Sequence, residues 1–123
     1  MERLAPDYAD ALNNRGVVLR ALNRPLQALA SYDRALTLRP AYAPALINRG
    51  NTLRKLQRYD EALASNERAL ALAPDHVGAL SNRGKALNTL RRYGDARETL
   101  QKALAINPGS TDAHINLGGC FHL

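Results

Sequence analysis

Residues 43–76 read APALINRGNTLRKLQRYDEALASNERALALAPDH, and this stretch decides the fold. Leu46, Gly50, Leu53 and Leu56 form one apolar stripe at helical spacing. The pair Gln57-Arg58 interrupts it. Ala62, Leu63, Ala69, Leu70 and Leu72 form a second stripe, and Pro74 ends it, because the residue before a proline avoids the α region. The stretch therefore predicts two helices of roughly 13 residues joined by a tight turn. The same plan recurs 34 residues away in both directions. Pro6, Pro40, Pro74 and Pro108 keep that step, as do Gly16, Gly50, Gly84 and Gly118. So do Ala28, Ala62 and Ala96, and Ala35, Ala69 and Ala103. A fixed 34-residue period is the signature of a helical array, in which each repeat buries its apolar face against its neighbours.

The flanking copies follow the same phases. Leu12, Gly16, Leu19 and Leu22 precede Asn23-Arg24-Pro25, and the stripe Ala28, Leu29, Tyr32, Ala35, Leu36, Leu38 follows. Leu80, Gly84, Leu87 and Leu90 precede Ala96, Leu100, Ala103, Leu104 and Ile106. Glycine inside a helix costs about 1 kcal/mol relative to alanine. Its recurrence at one phase implies a neighbouring helix that crosses too closely for a side chain. Ser110 is expected to cap the last helix and Asp75 an earlier one. The division is 1–8 as the end of a preceding repeat, 9–42, 43–76 and 77–110 as complete repeats, and 111–123 as the first helix of a further one. Leu4 falls in phase with Leu38, Leu72 and Ile106, so the chain reads as a piece of a longer array.

Composition bounds the function classes. No apolar run approaches the roughly 20 residues of a membrane-spanning helix. Met1-Glu2-Arg3-Leu4 lacks the basic-then-apolar pattern of a signal peptide, so a cytoplasmic location is expected. Cys120 is the only cysteine, which excludes an intrachain disulfide and a cysteine zinc cluster. The formal charge of +6 fits acidic partners, and equally fits charged helix faces that keep an array soluble. His76, His114 and His122 are the only histidines, and no nucleophile–base constellation accompanies them. His114 and His122 stand two turns apart, beyond the step that favours a shared metal. Neither catalysis, a metal nor a cofactor is expected.

These residues resemble the tetratricopeptide repeat family, over essentially the whole chain. The glycine, both alanines and the proline of the family pattern all match. Leu12, Leu46 and Leu80 replace its first bulky aromatic, as His114 does in the last helix. Leu19, Leu53 and Leu87 take its first-helix aromatic position, which Phe121 keeps. Arg15, Arg49 and Arg83 stand where the family usually has leucine. The resemblance implies an all-α fold, a right-handed superhelical α-solenoid of antiparallel helix pairs. It would hold three complete repeats with an N-terminal stub and a C-terminal single helix. The implied function is non-catalytic protein–protein interaction, with an extended peptide or protein segment bound in a concave groove lined by first helices.

By the same resemblance Asn14, Asn48, Asn82 and Asn116, two residues before each glycine, line the concave wall. An asparagine offers a donor and an acceptor to a peptide backbone. Packed helices stand roughly 8–10 Å apart and a strand rises roughly 3.3 Å per residue, so one asparagine per repeat meets about every third peptide residue. This is similar to the asparagine ladder of protein O-linked N-acetylglucosamine transferases, in the ladder alone. The other reading is that these asparagines cap or bridge neighbouring repeats, and the sequence leaves both open. Further expected groove positions are Asn13, Val17, Asn51, Lys55, Ser81, Lys85 and Asn88, polar with a basic bias. Chaperone-binding members need a lysine where this chain has Asn13 and an asparagine where it has Val17, which argues against a chaperone tail.

A charge beside the buried stripe needs a partner. Asp33 precedes Arg49 by sixteen residues and Glu67 precedes Arg83 by the same interval; where the acid becomes Gln101, the later residue becomes Leu117. The pattern predicts inter-repeat pairs Arg49–Asp33 and Arg83–Glu67, with Arg15 unpaired, against the alternative that these arginines extend to water. Three other readings fit less well or differently. Nucleic acid is disfavoured because the groove lacks stacking aromatics. Self-assembly could use an apolar edge of Ile115, Leu117 and Phe121 on the last helix. The array could also recruit substrates for a larger glycosyltransferase-like enzyme.

Overall fold

The computed structural model describes residues 4–120, with side chains from Tyr8 onward. Among the described residues there are seven helices and no strand: α1 Leu4–Ala21, α2 Pro25–Leu38, α3 Ala43–Lys55, α4 Tyr59–Leu72, α5 Val77–Thr89, α6 Tyr93–Ile106 and α7 Thr111–Gly119. They stack as the antiparallel pairs α1–α2, α3–α4 and α5–α6, with α7 following. None of them is long and apolar enough to cross a membrane.

The turn inside each pair has one geometry. Asn23, Gln57 and Arg91 adopt φ of 61°, 63° and 62°, the left-handed region, at the same step of 34 residues. The following amides of Arg24, Arg58 and Arg92 reach back to the carbonyls of Leu19, Leu53 and Leu87, closing a Schellman motif that satisfies the helix end. Pro25 then opens α2 in its first turn, where a missing N–H costs no bond. Ser110 caps α7 as expected, its Oγ accepting from the Ala113 amide at 3.2 Å. The cap of α5 is His76 rather than Asp75: its ring Nδ1 accepts from the Ala79 amide at 3.0 Å.

The N-terminal end also differs from expectation. Residues 1–8 were expected to end a preceding repeat at Pro6, but α1 runs from Leu4 without a break to Ala21. Pro6 therefore sits in the first turn of α1, where the backbone N–H has no intrahelical acceptor and proline is tolerated.

The close approach implied by the repeated glycines is present. A Cβ built on Gly16 would stand 2.4 Å from the Tyr32 ring, and on Gly84 2.5 Å from Leu100. On Gly50 it would stand 2.8 Å from Asn66. In each repeat the glycine thus lies under the side chain sixteen residues later, on the second helix. Ala28, Ala62 and Ala96 and Ala35, Ala69 and Ala103 are fully buried at the other contacts. Ser31 and Ser65 add a brace, each hydroxyl donating at 2.7 Å to the carbonyl of Leu12 or Leu46 on the first helix.

A Gly84→Ala change is expected to destabilise the array by about 1–3 kcal/mol, because overpacking against Leu100 outweighs the gain in helix propensity. Gly118 faces nothing within 4 Å, so Gly118→Ala is expected to be neutral or mildly stabilising. Urea unfolding of both variants checks the contrast.

Candidate functional site

The first helices touch one another in sequence, α1 to α3, α3 to α5 and α5 to α7, whereas the second helices α2, α4 and α6 make no such contacts. Helices that converge on one side and separate on the other curve the stack. The first helices therefore form the inner wall and the second helices the outer.

The expected wall residues divide into two groups. Asn14, Val17, Lys55 and Lys85 are exposed, and Asn48, Asn51 and Asn82 half-buried. Asn13, Ser81 and Asn116 are buried, with only 7% of Asn13 and 9% of Asn116 exposed. For the two asparagines the burial has a bonding reason. The Asn48 amide donates to the Asn13 side-chain oxygen at 3.0 Å, and the Asn116 amide to the Ser81 carbonyl at 3.4 Å. Both bonds step back 35 residues, from one first helix to the preceding one. Asn88 is likewise engaged: its amide donates to the Asn116 carbonyl at 2.7 Å, and its oxygen accepts from Cys120 Sγ at 3.2 Å. Asn13, Asn88 and Asn116 thus hold neighbouring repeats together instead of presenting polar groups to the groove. Asn14 and Asn82 make no side-chain hydrogen bond among the described residues.

The arginines beside the stripe meet the acids at the sixteen-residue interval. Arg49 Nε donates to Asp33 Oδ1 at 2.6 Å, from α3 to α2. Arg83 donates to Glu67 Oε2 through Nε at 3.2 Å and Nη2 at 3.0 Å, from α5 to α4, and its Nη1 also meets the Thr99 hydroxyl. The arginine side chains are 22% and 23% exposed, while the acids are about half exposed. Arg15 is exposed and pairs with no acid among the described residues. On the last helix Ile115 is 67% exposed, but Leu117 packs against the Leu80–Leu87–Leu100 cluster and belongs to the core. Phe121, the third residue of the expected edge, lies outside the described residues.

Charge is unevenly divided between the walls, although α7 on the inner wall carries the exposed Asp112. The inner helices α3 and α5 carry Arg49, Arg54, Lys55, Arg83 and Lys85 and no carboxylate. On α1 Asp10 accepts from the Tyr42 hydroxyl and lies 3.8 Å from Arg39, whose guanidinium sits over the Tyr42 ring. Burial, and next the bond to Asp10, raise the Tyr42 phenol above its ordinary value. Asp33, Asp60, Glu61, Glu67, Asp95 and Glu98 all lie on the second helices.

Two inner-wall residues escaped the sequence reading: Arg20 and Arg54, four residues after Gly16 and Gly50. Both are half-buried, and neither forms an ion pair among the described residues. Arg54 Nε is buried with no hydrogen-bond partner. Burial holds the Arg54 guanidinium below its ordinary value; Tyr59 opposes this and the like charge of Arg20 adds to it. The signal was available, since residues 20, 54 and 88 keep the repeat step and change from Arg to Asn at the third copy.

Two models of the tetratricopeptide repeat match the sequence, over residues 9–42 and 42–109. The chain belongs to the tetratricopeptide repeat family. Solved tetratricopeptide domains share its fold. The second domain of human RPAP3, in complex with the HSP70 peptide SGPTIEEVD, is 22% identical with a TM-score of 0.89, and each chain is covered in full. The Arabidopsis OM64 domain is 22% identical with a TM-score of 0.91, covering 94% of this chain and 96% of that one. The Sgt2 domain of Aspergillus fumigatus is 25% identical with a TM-score of 0.87, covering 91% and 76%. No curated protein matches the sequence.

The Arg49–Asp33 pair is expected to contribute modestly, because Asp33 is half exposed. A double-mutant cycle with Arg49→Met and Asp33→Ala should give a coupling of about 0.2–1 kcal/mol that shrinks in 0.5 M salt. Thermal unfolding of the four proteins at two salt concentrations checks it.

Proposed function

We propose that this tetratricopeptide array is a non-catalytic interaction module that holds an extended peptide or protein segment along its inner wall. The observation that carries the reading is the make-up of that wall. The exposed and half-buried side chains of its middle helices α3 and α5 include the amides Asn48, Asn51, Asn82 and Asn88 and the cations Arg49, Arg54, Lys55, Arg83 and Lys85, and neither helix carries a carboxylate. Such a surface offers donors and acceptors to a peptide backbone and a positive field to an acidic segment. A domain of the same fold, that of RPAP3, is described with a bound peptide, which agrees with this reading.

The ligand differs in kind from a chaperone tail. Asn13 stands where chaperone-binding members carry a lysine, and it is buried and bonded to Asn48. Val17 stands where they carry an asparagine. The asparagine ladder is reduced to Asn14 and Asn82, since Asn48 and Asn116 donate to the preceding repeat. The module therefore reads backbone at two separated rungs.

The test compares asparagine variants in a screen against extended, fluorescently labelled peptides. Asn14→Ala and Asn82→Ala are each expected to weaken binding about fivefold, near 1 kcal/mol, with the thermal midpoint unchanged. Asn48→Ala is expected to lower the midpoint instead, because it removes a bond between repeats. Retained peptide binding in the Asn14→Ala/Asn82→Ala double variant overturns the groove reading.

A further inference from the structure

We infer that the end face of α1, formed by Ala11, Leu12, Arg15, Val18, Leu19 and Leu22, docks an amphipathic helix of another protein. That helix carries a carboxylate between two leucines, in the pattern Leu-x-x-x-Asp/Glu-x-x-Leu. The surface lies beside the inner wall and is separate from it.

The chain's own seams define both halves of the contact. Where α2 packs on α3, Leu29 meets Leu53 and Leu56, Asp33 accepts from Arg49, and Leu36 meets Ala45 and Leu46. Where α4 packs on α5, Leu63 and Leu70 join the cluster of Leu80, Leu87 and Leu90, and Glu67 accepts from Arg83. The covering helix thus presents a leucine, an acid four residues on and a leucine three residues further, which share one helical face. The receiving helix presents Ala-Leu, then Arg, Leu and Leu, as α3 does with Ala45, Leu46, Arg49, Leu53 and Leu56. The two halves change together: α6 carries Gln101 in place of the acid, and α7 carries Leu117 in place of the arginine.

α1 keeps the receiving half complete, and no described helix supplies the other. Ala11 is exposed where Ala45 and Ala79 are fully buried, and Val18 is 56% exposed where Thr52 and Ala86 are fully buried. Leu22 is 59% exposed, and Arg15 lies open where Arg49 and Arg83 are largely withdrawn from water. Beside this face α1 and α2 enclose a cleft of about 440 Å³ lined by Arg15, Arg24 and Arg34 and by no acid. The corresponding cleft at the third repeat is lined by Leu70 of the covering helix and by Asp95 and Glu98. The first repeat has Gln27 and Ala30 at the phases of those two acids. Charge complementarity therefore calls for an acidic helix.

Two nearer sources do not fit. In a second copy the acid-bearing faces of α2 and α4 are buried in their own seams, and α6 has no acid at this phase. The usual connection from a covering helix, residues 39–42 before α3, corresponds to residues 5–8, which are part of α1. A helix joined in that way does not reach this face.

The test uses the acetylated, amidated peptide of residues 59–72, which carries Leu63, Glu67 and Leu70. A lactam between Ala64→Lys and Arg68→Glu, both exposed positions, holds it helical, and circular dichroism verifies this. On titration into the isotope-labelled chain, saturable movement of the Ala11, Arg15, Val18 and Leu22 amides is expected. A Glu67→Gln peptide should bind about threefold to fivefold more weakly. Arg15→Glu should weaken the Glu67 peptide about tenfold, and a Glu67→Lys peptide should restore binding to that variant. Leu22→Asp should weaken binding about tenfold with the thermal midpoint unchanged, since Leu22 is exposed in the free chain. Equal binding of the three peptides to the native chain and to Arg15→Glu overturns the recognition of a carboxylate. Movement centred on Lys55 and Lys85 overturns the end face and places the helix on the inner wall. Movement of the same α1 amides on concentrating the chain alone assigns the face to a second copy and overturns a partner from another protein. No movement at millimolar peptide overturns the docking and leaves the groove, whose own probes are extended peptides.

Discussion

Everything in this array depends on how closely the two helices of a repeat can cross. Gly16, Gly50 and Gly84 let the second helix lay Tyr32, Asn66 or Leu100 directly on the backbone of the first. A side chain at that point would push the helices apart, and the flanking alanines would no longer be buried. The serines that reach from α2 and α4 to first-helix carbonyls would lose their acceptors as well. The crossing also sets which faces remain for the next repeat. Because the first helices touch in succession and the second helices do not, it sets the curvature that makes an inner wall.

A second layer of interactions joins one repeat to the next, and it uses polar groups on both sides. On the outer side Arg49 and Arg83 reach back to acids of the preceding second helix. Toward the inner side Asn48 and Asn116 reach back to the preceding first helix. An asparagine occupied in this way is architecture. The same residue type one repeat away, Asn82, makes no side-chain hydrogen bond among the described residues, and Ile47 holds the position equivalent to Asn13. The repeats are alike in backbone and unlike in the chemistry of their seams. Six acids lie on the outer helices, and the inner helices α3 and α5 carry cations and no acid, while α1 carries Asp10 and α7 Asp112.

The fold was almost wholly legible before any coordinates, because it depends on small residues and prolines that recur at one phase. The glycine contacts, the helix pairs and the Ser110 cap all follow from local rules. The exceptions were local as well. His76 takes the capping role expected of Asp75, since its ring nitrogen reaches the Ala79 amide. Pro6 enters a helix instead of ending one, because the first turn does not need its N–H. The candidate site was half legible. The column of asparagines was visible, but Asn13, Asn88 and Asn116 turned out to be joints, and Arg20 and Arg54 went unnoticed until their burial was known.

The sequence by itself determined the family, the all-helical array and the sixteen-residue spacing at which acids and arginines could meet. Periodicity is enough for that, since a 34-residue step places equivalent residues on equivalent faces whatever the details. Only the tertiary structure decided which asparagines are engaged and which arginines form no ion pair among the described residues. Those outcomes depend on what stands across each seam, and the residues that meet there are 28 or 35 positions apart with no pattern of their own. A hydrogen bond is settled by a few tenths of an ångström between side chains of different repeats, and a one-dimensional pattern carries no information at that scale.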